Sequence, residues 1–108
     1  MATITEDYCS KEIYRLLIEK GFDGEIHTTF DKEGYTQPSI TLQMTMKWLR
    51  EVHNTFISII YENDGVFVVS LKVPLKGVDC LIDDKHNCWF TYEEAAEAAI
   101  KFCLERII

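Results

Sequence analysis

Cys80, Asp83, Asp84, His86 and Cys88 place within nine residues the side-chain types that bind zinc. A structural zinc site normally presents two tight ligand pairs, one of them a Cys-x2–4-Cys. Here seven residues separate the two cysteines and no second pair follows. No metal ligand set is therefore assigned. Cys80 or Cys88 as a nucleophile would need His86 or His53 within hydrogen-bond reach and a thiol of lowered pKa. The residues around both cysteines match no protease signature, and no catalytic residue is assigned. The acidic pairs Asp83-Asp84 and Glu93-Glu94 are adjacent in sequence, so their side chains diverge rather than converge on a substrate. Nucleotide loops and other cofactor motifs are absent, so no cofactor is expected.

The other chemically versatile side chains have structural roles available. His53 closes an amphipathic segment, where a protonated imidazole would complement the negative end of a helix. His27 falls in a short β-rich stretch. The apolar side chains are more numerous than one core face requires. Tyr8, Tyr14 and Ile18 lie off the main apolar stripe of the first helix, Phe102 lies off that of the last, and Trp48, Phe67, Trp89 and Phe90 add bulk. Aromatic side chains beyond the core stripe are the material of protein interfaces, between copies or with another chain.

Local signals specify the elements that hold these groups. Thr3-Ile4-Thr5-Glu6 has capping-box spacing, which predicts a helix from about Thr3 or Thr5 through Cys9, Ile13, Leu16 and Leu17 to a glycine cap at Gly21. Gly24 to Asp31 reads as a strand at a sheet edge. Ile40, Leu42, Met44, Met46 and Trp48 alternate with polar residues, a strand period. The composition of the same stretch, rich in Leu, Gln, Met, Lys and Arg, instead predicts a helix over Ser39 to His53. Phe56 to Tyr61 and Val66 to Val73 flank Glu62-Asn63-Asp64-Gly65, a hairpin signal. Residues 75 to 90 have room for one more strand. Thr91-Tyr92-Glu93-Glu94 is a second capping box, and it opens a helix through Ala95, Ala99, Cys103 and Ile107, with Glu97 set to pair with Lys101.

The order α-β-α-β-β-(β)-α with hairpin connections predicts an α+β fold of two layers, three helices against one face of a mainly antiparallel sheet of three to four strands. Residues 1–108 form a single domain, with no linker, repeat or apolar run of membrane-spanning length. Eleven Lys and Arg against eighteen Asp and Glu give a net charge of −7. That balance disfavours phosphate backbones, whose binding depends on cationic side chains. No export signal is seen, so the four cysteines are expected as reduced thiols in a cytoplasmic protein.

The stretches TLQMTMKWLREVH (41–53) and FTYEEAAEAAIKFCLERII (90–108) resemble a group of short uncharacterised proteins from bacterial mobile elements and phages. That resemblance implies a cytoplasmic accessory protein and brings no catalytic residue with it. A non-catalytic protein-interaction domain follows as the leading expectation, with a small ligand- or metal-binding protein or enzyme using the 80–90 loop as the alternative.

Overall fold

The computed structural model describes residues 7–62, 65–82 and 89–108. The elements run α1 (Lys11–Glu19), β1 (His27–Phe30), β2 (Thr36–Ser39), α2 (Leu42–Val52), β3 (Phe56–Tyr61), β4 (Phe67–Val73), β5 (Val78–Ile82) and α3 (Tyr92–Phe102), and α3 runs into a π-helical turn over Cys103–Ile107. This is the expected α+β class. One strand is added to the expected order, and the strands divide into a β1-β2 hairpin and a separate antiparallel sheet, β3-β4-β5.

Two helix starts lie further along the chain than expected. Residues 7–9 are extended rather than helical, because Tyr8 bridges Thr41 and the Cys9 N–H donates to the Ile40 carbonyl at 2.9 Å. Ser10 then supplies the cap, its hydroxyl accepting from the Ile13 N–H. In the same way Thr41, not Ser39, caps α2, accepting from the Met44 N–H at 3.1 Å. Pro38 and Ser39 belong to β2, where a proline is tolerated because the hairpin has only two strands and both are edges. The helix itself overrides the alternating pattern, and Leu42, Thr45, Trp48 and Leu49 form its buried face.

The ends of α1 and α2 show how single residues redirect the chain. At Gly21, with φ +87°, the Phe22 N–H reaches back to the Leu17 carbonyl and the Gly21 N–H to the Ile18 carbonyl, the paired bonds of a Schellman cap. Beyond His53 at the end of α2, Asn54 takes φ +52°, a left-handed conformation that asparagine tolerates better than most residues, and the Thr55 N–H returns to the Leu49 carbonyl.

Helices α2 and α3 lie on one face of the three-stranded sheet, while α1 packs on α3 and the terminal π-helical turn. Buried Ile13, Leu17, Ile40, Leu49, Leu71, Ile100 and Leu104 join these elements in one apolar cluster. A smaller cluster sets Ala95 and Ala99 of α3 against Val69 of β4, with Ile57 and Ile59 at its border. Alanine at those two positions lets α3 lie close to the sheet. Trp48, expected among the surplus aromatics, is part of the core: only 5% exposed, it packs edge-on against Phe22 and donates from Nε1 to Asp23 Oδ1 at 3.2 Å.

Candidate functional site

Among the described residues the sheet leaves β3 as an edge. Alternation along the β3-β4 ladder fixes which of its main-chain groups are free. The Glu62 N–H donates to the Val66 carbonyl at 2.8 Å, and the register pairs Ser58 with Ser70 and Ile60 with Val68. The N–H and C=O groups of Phe56, Ser58 and Ile60 therefore point into the ladder, and those of Ile57, Ile59 and Tyr61 point outward. Phe56–Tyr61 reads Phe-Ile-Ser-Ile-Ile-Tyr, with no charge, no proline and no bulge in its register. Natural edge strands usually carry one of those protections. β5, the opposite edge, carries Asp79, within 3.9 Å of Lys72.

A cleft of about 470 Å³ runs beside this edge. Its lining comes from Gln43, Met46, Lys47 and Arg50 of α2, Phe56, Ile57 and Ser58 of β3, and Tyr92 of α3. The helix phase explains the composition: the buried side of α2 faces the core, so its long polar residues lean over the strand. Lys47 and Arg50 form no ion pair among the described residues, which makes this cleft locally basic on an acidic chain. A row of rings continues from the cleft along the sheet. Tyr92 meets Phe67 edge-on at 6.3 Å between centroids, and Phe67 meets Tyr61 at 5.3 Å. Tyr61 is 62% exposed and Phe90 73%.

The surplus aromatics expected to mark an interface are spread out. Trp89 bridges Phe67 and is partly buried, Tyr14 and Phe102 pack against the main cluster, and Ile18 is exposed. Tyr8 lies before α1 rather than on it, its hydroxyl 3.3 Å from His27 Nδ1. The signal for the β3 edge was present in the sequence as an uncharged, β-branched run. Its exposure depends on strand order, which a sequence does not display.

The polar candidates are not brought together. Asp83, Asp84, His86 and Cys88 lie outside the described residues, and the Cys80 backbone pairs with Leu71 inside β5. His53 does end α2, but its imidazole is driven toward the neutral form, first by burial and then by Lys76. Its Nε2 is sealed from solvent with no hydrogen-bond partner among the described residues, so the expected protonated, dipole-compensating histidine is corrected to a neutral ring packed 4.5 Å from Trp48. Burial pushes the Cys9 thiol up to about 11, against the lowering effect of its contact with Thr45 Oγ1 at 3.3 Å. Such a thiol is no nucleophile at neutral pH. Glu94 donates its N–H to Thr91 Oγ1 as the capping box predicts. Glu97 accepts from the Ser10 N–H at 2.7 Å, while Lys101 pairs with Glu12 at 3.0 Å, so the expected Glu97–Lys101 pair is replaced by contacts between α1 and α3.

No family model matches this chain, and no curated protein or solved structure matches it. Among the described residues no helix is long and apolar enough to cross a membrane.

Proposed function

We propose that the chain is a non-catalytic protein-interaction domain of the cytoplasm, an accessory factor of the kind implied by its resemblance to mobile-element and phage proteins. The observation that supports this function is the outward ladder of Ile57, Ile59 and Tyr61, unprotected and flanked by the ring row and the basic cleft. A strand added there gains main-chain hydrogen bonds, and the cleft reads the side chains it brings.

A double variant, Ser58→Lys with Ile60→Lys, tests the surface. Both positions are exposed on the sheet face away from the helices, so the fold is kept while the edge acquires the charges that discourage strand addition. The native chain should retain a stoichiometric protein partner, its own copy included, after nuclease treatment of a source lysate, and the variant should lose it. Equal retention by both proteins, or none by either, would refute the function.

A further inference from the structure

We infer that the occupant of the β3 edge is a second copy of this chain, paired antiparallel through β3 about a two-fold axis. The inference rests on the interaction function just proposed and adds the partner's identity. An antiparallel ladder must match outward-pointing residues with outward-pointing residues. The register that uses most of the strand sets Ile59 against its own copy and Ile57 against Tyr61 of the other protomer. Those three pairs exchange about six main-chain hydrogen bonds. They join two three-stranded sheets into one, β5-β4-β3-β3-β4-β5, which removes both unprotected edges at once.

The side chains agree with this register at both ends. Tyr61, opposite Ile57, comes to the mouth of the cleft lined by Met46, Ile57 and Tyr92. That cleft, at about 470 Å³, has room for a phenol ring. Glu62, the next residue, stands opposite Phe56, which lines the same cleft as Lys47 and Arg50. Each protomer thus sets its acidic strand end at the end of the other's strand where Lys47 and Arg50 lie, and the two-fold axis repeats the arrangement. Lys47 and Arg50 are the only bases between residues 36 and 55. Their placement beside the uncharged strand gives the edge its polarity, basic at its start and acidic just past its end.

Sedimentation velocity and light scattering across a micromolar dilution series test the pairing. The native chain should be a dimer that dissociates on dilution. Tyr61→Pro removes one outward N–H and the ring without touching the β3-β4 ladder, and should weaken the dimer by about tenfold or more. Tyr61→Ala should weaken it less, and a circular dichroism melt of both variants checks that they fold. Arg50→Glu and Glu62→Arg should each weaken the dimer by about tenfold, and the two changes combined should restore it to within about threefold of native. A dimer indifferent to Tyr61→Pro, or charge reversals without rescue, would overturn the pairing. A native monomer that still captures a different protein through this edge would overturn the pairing and leave the interaction function standing. A native monomer that captures nothing would overturn both.

Discussion

Protonating His53 creates a charge beside Trp48, where one ring nitrogen is sealed from water and has no hydrogen-bond partner among the described residues. The folded chain therefore binds that proton less tightly than the unfolded chain, whose histidine titrates near 6.5. No stability is lost to this group well above that pH. Loss sets in as pH falls through it and continues until the folded-state pKa is passed. His53→Phe keeps the ring contact and removes the titration. It should flatten the fall in melting temperature between about pH 7.5 and 5.5, a difference that thermal melts at several pH values measure directly. Cys9 offers a second check. With its thiol pushed to about 11, it should be alkylated far more slowly in the native chain than in the unfolded one at pH 8, as peptide mapping by mass spectrometry would record. Backbone conformation sets the third. At Gly21, Ala must adopt a left-handed φ, which costs about 1–2 kcal/mol. Asn54→Gly should be near neutral while Asn54→Val costs a similar 1–2 kcal/mol, both read by chemical denaturation.

At the level of elements, capping and close packing dominate. Thr91 both ends the extended segment after Trp89 and accepts the Glu94 N–H, so Thr91→Ala should destabilise by about 1 kcal/mol. Ala99 is fully buried against Val69, and Ala99→Leu should cost about 1–3 kcal/mol by forcing α3 off the sheet, with a matching drop in the denaturation midpoint. These features explain which elements were legible in sequence. Gly21, Thr91 and the hairpin glycine Gly65 act on their own neighbours, and each specified its boundary. Composition outweighs alternation in predicting a helix over Ser39 to His53, and burial of Thr45, Trp48 and Leu49 at helical spacing agrees with a helix over Leu42–Val52. The starts of α1 and α2 were misplaced because one contact, Tyr8–Cys9 against Ile40–Thr41, sets both. That contact joins residues more than thirty positions apart, and no local pattern reports it. β2 was missed for a related reason, since Pro38 resembles a helix start until a hairpin partner occupies one side of the strand. The candidate site was legible only as ingredients. Phe56–Tyr61 was recognised as a strand, but its place at an edge beside Lys47 and Arg50 is a property of the assembled sheet.

Across the whole molecule the charge of −7 is unevenly distributed, with Lys47 and Arg50 gathered at one cleft. Added salt should raise the stability of the isolated domain by screening self-repulsion, while weakening any contact made through that cleft. Melting temperature and dimer affinity should therefore move in opposite directions between low and physiological ionic strength. A rise in both together would show that the cleft's charge takes no part in association. Duplex DNA should not bind at physiological salt, and a fluorescence anisotropy titration would show it.

The burial of Ala95, Ala99, Ile100 and Leu104 also has a consequence for synthesis. Until these residues leave the ribosome, the apolar side of β4 lacks the helix it packs on, and that of β3 has α2 alone. The growing chain then carries a finished hairpin with a greasy face and an open edge. Completion of α3, rather than of any earlier segment, is what covers that face.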